Sequence, residues 1–412
     1  MEVRLLERIE NSSLDKKRIF FGWDKREEEA TYNINYIPLG RESTSGKKVY
    51  LDMSGYGNIL VLGNTGSGKT FLTKGMICRF LKSGWKIAIL SDIKSEYGSM
   101  MFSGEERFAD YLMSGEILEG LPIKSYYPYF LSKYLNYKPK NDILFQLPLS
   151  DISYTDLLTI LGMEEEHKDK KAVIEMLAGR IKEKRLTTFN EIIEFLSTQD
   201  VYVRTQKSLI NIFKTLQYYG VFGNQYTADF VEDMNKGYIP ILSLKGFDQL
   251  GAESGWTSAY VSILARKIRQ AKEQGRLKGK VLLIFEEVPR FAPREGNPSS
   301  KKTIEKLARE GRGLGISNLF ISQDLYEVTD ILFSQSKYIF LPYNIDVDEL
   351  KVVFRRKGVD YEWSPSFTNS LFDTIRTMSM NRKTGEREWM FIDQEEKDYQ
   401  IFYPYAPFCK VV

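Results

Sequence analysis

The sequence predicts an α/β protein: a mostly parallel sheet with helices on both faces. Three observations carry that prediction. Short apolar runs alternate with helical spacing over 51–100 and again over 236–345. These runs are nearly continuous in apolar residues, as suits strands covered on both sides. The first of them passes through a glycine-rich turn into a helix and then a second strand, a unit whose crossover makes neighbouring strands parallel.

Residues 1–50 read as a short β-rich region, because Tyr32–Ile37 alternates and Lys47–Leu51 resumes the pattern after the turn at Ser43–Gly46. Asn58–Leu62 then reads as a strand, Phe71–Leu81 as a helix and Lys86–Leu90 as a second strand. From 101 to 235, helical spacing recurs in Asp156–Leu161, Lys171–Lys184, Phe189–Leu196 and Ser208–Tyr218, without a strong buried-strand run. That stretch reads as a mainly helical insertion, irregular around the Tyr- and Pro-rich Ser125–Pro139. Strands return at Tyr238–Leu244, Val281–Phe285, Asn318–Ser322 and Tyr338–Leu341, with helices over Thr257–Gln274 and Lys301–Gly311. Residues 346–412 read as a helix and a hairpin that joins Thr377–Asn381 to Glu388–Ile392 through Lys383-Thr384-Gly385.

Composition narrows the function classes. With 42 % hydrophobic and 27 % charged residues, the chain has the balance of a soluble globular protein. No apolar run approaches the roughly 20 residues that span a bilayer, and Met1–Arg4 opens no secretory segment, so the expectation is a cytoplasmic protein without a membrane anchor. Cys78 and Cys409 give neither a disulfide framework nor metal-ligand spacing, and His167 sits among Glu and Lys as a solvated residue. A net charge of +3 leaves any polyanion affinity to local patches. One basic run, Arg266–Lys280, reads either as such a patch or as a solvated helix face.

Gly63-Asn64-Thr65-Gly66-Ser67-Gly68-Lys69-Thr70, set between a strand and a helix that opens near Phe71, fills every fixed position of the phosphate-binding loop pattern. Its glycines let backbone N–H groups curl around a phosphate at a helix N-terminus. Lys69 is expected to reach the β- and γ-phosphates and Thr70 to hold Mg²⁺. The strand Val281–Phe285 ends in Glu286 and Glu287: the first is expected in the Mg²⁺ shell, the second as the base that polarises the attacking water. Gln323, at the tip of the next strand, is placed to sense the γ-phosphate, because ligands of parallel sheets bind beyond the carboxyl ends of the strands. Arg309 and Arg312 precede that strand. They read either as arginines serving a neighbouring subunit's γ-phosphate or as cations compensating a helix C-terminus. Asp92–Tyr97 forms a polar turn after the second strand, at the same sheet edge.

Taken together these segments resemble the HerA/FtsK superfamily of ring-shaped DNA-pumping ATPases, the HerA branch most closely. The likeness lies in 63–70, Asp-Ile-Lys-Ser-Glu-Tyr at 92–97, Phe-Glu-Glu-Val-Pro-Arg-Phe-Ala-Pro at 285–293, Ala-Arg-Glu-Gly-Arg-Gly-Leu-Gly-Ile-Ser at 308–317 and Ile-Ser-Gln at 321–323. The resemblance implies a RecA-like ATPase core, ATP and Mg²⁺ as cofactors, a homohexameric ring, movement along double-stranded DNA, and Arg309 or Arg312 acting in trans. It also implies that residues 1–50 are a reduced form of the small β-barrel that precedes the HerA core. Val288-Pro289 replace the family's usual Ala-His, and Asp324-Leu325 its usual Arg-Pro. A NurA-like nuclease and a viral capsid or portal component are therefore equally compatible partners. Arg290, Arg294, Lys301 and Lys302, after the catalytic strand, are candidate DNA contacts in a pore loop, or cations of a solvated loop. Two other readings are a conjugation- or secretion-type ATPase moving DNA or protein through a pore, and a P-loop small-molecule kinase. The kinase predicts no second acid beside the metal-binding one, which Glu286-Glu287 argues against.

Overall fold

The computed structural model describes residues 32–137, 139–163, 168–199, 202–251, 254–324, 326–356, 364–381 and 384–411. Its strands are β1 (Tyr36–Glu42), β2 (Lys48–Asp52), β3 (Asn58–Leu62), β4 (Lys86–Asp92), β5 (Ile123–Pro128), β6 (Ile143–Phe145), β7 (Ile239–Ser243), β8 (Val281–Phe285), β9 (Ile316–Ser322), β10 (Ser336–Pro342), β11 (Trp389–Asp393) and β12 (Asp398–Pro404). All belong to one sheet, ordered β2-β1-β12-β11-β10-β3-β9-β8-β4-β7-β5-β6. From β10 to β6 every neighbouring pair is parallel; from β10 to β2 every pair is antiparallel. The helices are α1 (Lys69–Lys82), α2 (Tyr129–Tyr134), α3 (Tyr154–Ile160), α4 (Lys168–Lys182), α5 (Phe189–Ser197), α6 (Val203–Tyr219), α7 (Phe230–Asn235), α8 (Ser254–Glu273), α9 (Ser299–Glu310), α10 (Asp330–Ser334), α11 (Val347–Arg356) and α12 (Pro365–Thr377).

The period-2 pleat explains why the central strands are apolar at every position. Leu60, Leu62, Ala88, Leu90, Leu283 and Phe285 face one layer with Ile263, Ile268, Ile304 and Leu307 of α8 and α9. Ile59, Val61, Ile87, Ile89, Leu282 and Ile284 face the other, with Leu72, Met76 and Phe80 of α1. The α/β architecture expected from the sequence is present, with helices on both faces.

Ser125–Pro139, expected to be irregular, instead supplies β5 and α2. The reason lies in tyrosine, whose ring buries like an apolar residue if its hydroxyl finds a partner. Tyr126 donates to Asp233 and Tyr127 to the Lys245 carbonyl. Between β6 and β7 the segment is helical, and capping boxes at Ser153 and Thr188 start α3 and α5, each stabilising by about 1 kcal/mol.

The hairpin at the C-terminal end also differs. α12 runs to Thr377, so only a short arm from Ser379 pairs with Glu386–Glu388. A larger hairpin, β11–β12, follows it and turns at Gln394–Lys397, where no glycine or proline marks a turn. Through β12 it meets β1. β1 and β2 are thus the outer strands of the main sheet rather than a separate small barrel. Residues 1–31, His167, Leu325 and Lys383 lie outside the described residues.

The chain after β12 packs on α1. Ala406, Phe408 and Cys409 are buried against it; Arg79 donates to the Ala406 carbonyl at 3.0 Å and Lys74 to the Lys410 carbonyl at 3.3 Å. Cys78 and Cys409 are free thiols with their sulfurs 3.4 Å apart.

Candidate active site

Because β3, β9, β8 and β4 are parallel neighbours, their carboxyl ends lie side by side. Four loops therefore meet there: Gly63–Gly68 after β3, Gln323 after β9, Glu286-Glu287 after β8 and Ile93–Glu96 after β4.

In the first loop Gly66 and Gly68 have φ of 79° and 99°, a region glycine enters without steric cost. α1 begins at Lys69, so the helix N-terminus faces the loop. Lys69 is nearly buried, and its ammonium donates to the carbonyls of Gly63 and Asn64. Burial, and after it the nearby Lys94, lowers its pKa to about 8. Asn64, Thr65 and Gly66 are exposed, while Ser67 is buried with its hydroxyl unpartnered. Phe71 does not line the loop through its ring, which packs edge-on against Phe108.

Glu287 sits at φ 48°, ψ 49°, a left-handed conformation that costs a non-glycine residue on the order of 1 kcal/mol or more. That turn separates the two acids. Glu287 Oε1 accepts from Gln323 Nε2 and from Lys94 at 3.1 Å, while Gln323 Oε1 accepts from Thr65 at 2.7 Å. A continuous polar chain thus runs from the phosphate-binding loop to the candidate base. Glu286 is buried, and its Oε2 has no hydrogen-bond partner. Burial first, and then Asp92 and Glu96, raise its pKa to about 8.

Sequence reasoning singled out 92–97 as a polar turn without assigning roles within it. Glu96 accepts from the Thr70 hydroxyl at 2.6 Å. Asp92, fully buried, accepts from the Glu96 and Tyr97 backbone N–H groups at 3.0 and 3.3 Å, and burial lifts its pKa to about 7. Lys94 reaches Glu287. The signals in the sequence were its position, just beyond a strand at the same edge as the glycine-rich loop, and its likeness to the HerA/FtsK superfamily.

Among the described residues, no group of three or more His, Cys, Asp and Glu side chains could hold a metal ion. Yet Thr70, Glu96 and Glu286 converge, with one carboxylate oxygen orphaned. Such a set fits a Mg²⁺ that shares its shell with phosphate oxygens and water. The orphaned Ser67 hydroxyl and the open left-handed glycines fit the phosphates themselves.

Arg309 and Arg312 lie elsewhere. Arg312 precedes β9 and pairs with Glu395 at 3.3 Å, and both it and Arg309 are exposed. β9 is seven residues long, so Arg312 stands about 20 Å from the sheet edge that carries its own phosphate loop. The cations of the basic run are mostly engaged within the fold. Arg266 pairs with Asp156, Lys267 with Asp151, and Arg269 with Glu273 and Glu310; Lys280 donates to Asn35 and the Met53 carbonyl. Arg290 pairs with Asp248. Lys301 and Lys302, offered as pore-loop contacts although the helical reading began at Lys301, fall in the first turn of α9. There Lys301 donates to the carbonyls of Arg294 and Gly296, because an ammonium satisfies loop carbonyls ahead of a helix.

Fold and site together define a P-loop ATPase with a RecA-like core. The sequence profile described as "Helicase HerA, central domain" (DUF87) matches residues 37–268. This is over half of the chain, which belongs to that family within the HerA/FtsK superfamily. No curated protein matches the chain in sequence. Among solved structures it is similar to VirB4 of Thermoanaerobacter pseudethanolicus, with 16% identity over 92% of this chain and 98% of that one, at a TM-score of 0.58. The genome packaging NTPase B204 from Sulfolobus turreted icosahedral virus 2, solved with ATP-gammaS, aligns with 12% identity over 86% of this chain and 100% of that one, at a TM-score of 0.38. The bacterial conjugative coupling protein TrwB aligns with 14% identity over 69% of each chain, at a TM-score of 0.45.

Proposed function

We propose that this ATPase is a motor that assembles as a homohexameric ring and uses Mg²⁺–ATP hydrolysis to translocate double-stranded DNA. Lys69 and the backbone of 63–70 bind the phosphates, Thr70 and Glu286 hold the cation, and Glu287, oriented by Gln323 and Lys94, takes the proton of the attacking water. The cation would offset charge on the transferring phosphate. Gln323 joins the candidate base to Thr65, so a change at the terminal phosphate is felt by the base and the strand tips together.

The observation that carries the ring is the placement of Arg309 and Arg312. At about 20 Å from the phosphate edge, neither reaches its own nucleotide, whereas a neighbour packed head-to-tail could present its site to them. Membership of the HerA family supports DNA as the cargo, in end processing or in plasmid or viral DNA pumping.

Mass measurement with and without ATP and duplex DNA, paired with ATPase assays, tests this. Hexamers in ATP, and turnover stimulated by duplex DNA of any sequence, are expected. A species that stays monomeric at micromolar concentration with ATP and DNA, with unstimulated turnover, would remove the ring and the cargo from the reading.

A further inference from the structure

Among the described residues, a guanidinium that belongs to none of the four strand-tip loops donates to the phosphate-binding loop. Arg387 precedes β11, on the short hairpin formed where Asn381 N–H donates to the Glu386 carbonyl at 2.8 Å and Glu388 N–H to the Ser379 carbonyl at 3.1 Å. β11 runs antiparallel to β10, with Trp389 opposite Pro342, and β10 is parallel to β3. The start of β11 therefore lies at the carboxyl end of β3, which sets Arg387 beside the loop. Tyr343 N–H, donating to the Glu388 carbonyl at 3.0 Å, pins it there.

The half-buried Arg387 guanidinium donates through Nη1 to the Gly66 carbonyl. It also lies so close to the helix start that a Cβ on Gly68 would stand 3.4 Å from Nη1. Among the described residues no ion pair involves it. A guanidinium keeps its charge at any accessible pH and matches phosphate geometry with two parallel donors. Here is such a group against a loop whose own N–H groups are arranged for anions, with no carboxylate to neutralise it.

Direction of approach sets its role. In the sheet, β9 and β8 lie on one side of β3, and β10 and β11 on the other. Glu287 and Gln323, which act on the attacking water, come from the first side and meet the loop at Thr65. Arg387 comes from the second and meets it at Gly66 and Gly68, toward the helix N-terminus. We propose that Arg387 is a nucleotide-binding residue acting in cis, which moves its guanidinium from the Gly66 carbonyl onto the non-transferred phosphates of the bound nucleotide. It differs in this from Arg309 and Arg312, assigned above to a neighbour's terminal phosphate. The inference rests on 63–70 being the nucleotide site.

A contact to phosphates shared by ATP and ADP is uniform binding: it lowers KM and leaves kcat nearly unchanged. Titration of fluorescent ADP and of a non-hydrolysable ATP analogue into wild type, Arg387→Ala, Arg387→Gln and Arg387→Lys tests this, alongside steady-state ATPase. Loss of one charge-assisted contact should weaken both ligands alike, by about tenfold or more, in the Ala and Gln variants. KM should rise in parallel, and the lysine variant should recover part of the loss. Wild-type ADP affinity in Arg387→Gln, folded by its melting curve, overturns the inference; so does a drop in kcat at unchanged KM. If wild type binds neither nucleotide, the site assignment itself has failed. If it binds both but ignores DNA, only the motor reading fails and Arg387 is still tested.

Discussion

The two halves of the sheet do different work for the same site. In the parallel half each strand enters from one edge and leaves at the other, so every loop after a strand arrives at the nucleotide edge. Glu286, Glu287, Gln323, Asp92 and Glu96 are delivered in this way from separate parts of the sequence. In the antiparallel half consecutive turns alternate edges. The hairpin before β11 reaches the phosphate loop through Arg387. The turn between β11 and β12 reaches the far edge, where Glu395 meets Arg312. One half concentrates chemistry; the other ties the two edges together. The phosphate loop and Arg312 are thus joined by one hydrogen bond, the single strand β11 and one ion pair.

The comparison can be broken most sharply in the parallel half. Lys69→Ala should abolish measurable nucleotide binding. Glu287→Gln should bind nucleotide like wild type and lose turnover by about 10²-fold or more, the usual loss on removing a general base. Substantial turnover in Glu287→Gln would show that the left-handed turn after β8 does not present the base.

A smaller effect is expected across edges. Arg312→Ala and Lys69→Ala subunits are each inactive in this scheme, but a mixture forms some interfaces with an intact loop on one side and an intact arginine on the other. Mixed subunits should recover a fraction of wild-type ATPase, and the same mixing applies to Arg309. Failure of both mixtures, with rings intact by mass, would leave the far edge with a structural role only.

Smallest is the expected effect on DNA. Replacing Lys301 would also strip the loop carbonyls it satisfies, so the test removes Arg294 and Lys302 instead. Arg294→Ala with Lys302→Ala should weaken all duplexes equally and reduce the slope of log affinity against log salt by about 2. An unchanged slope moves the DNA grip away from α9.

The parallel half was legible because its signals are local. A filled phosphate-loop pattern and apolar runs ending in Glu-Glu or in Gln can be read a few residues at a time. In the antiparallel half β2 and β11 were read close to where they stand, but their pairing was not, since it runs through pairs such as Gly40 with Pro404, far apart in sequence. The β11–β12 turn, Gln394–Lys397, lacks glycine, and Lys397 itself takes φ 52°. Arg387 carries no local mark either: only the strand order brings it to Gly66. Within the active edge, Glu287 and Gln323 were expected near the nucleotide, but their bond to each other and to Lys94 depends on side-chain directions that spacing does not encode. Tyrosine-rich β5 was missed for another reason, namely that its hydroxyl partners Asp233 and Lys245 are remote in the chain.

Glu287 occupies a backbone well in which glycine or asparagine would rest more easily. At this one position the comfort of the fold and the needs of the chemistry point in opposite directions. Replacement of the acid by glycine would relieve strain while removing the proton acceptor, so an inert copy of this chain is expected to be at least as robust as a working one. A screen for solubility or heat resistance would therefore enrich inactive variants at residue 287, and improvements found that way must be read alongside turnover.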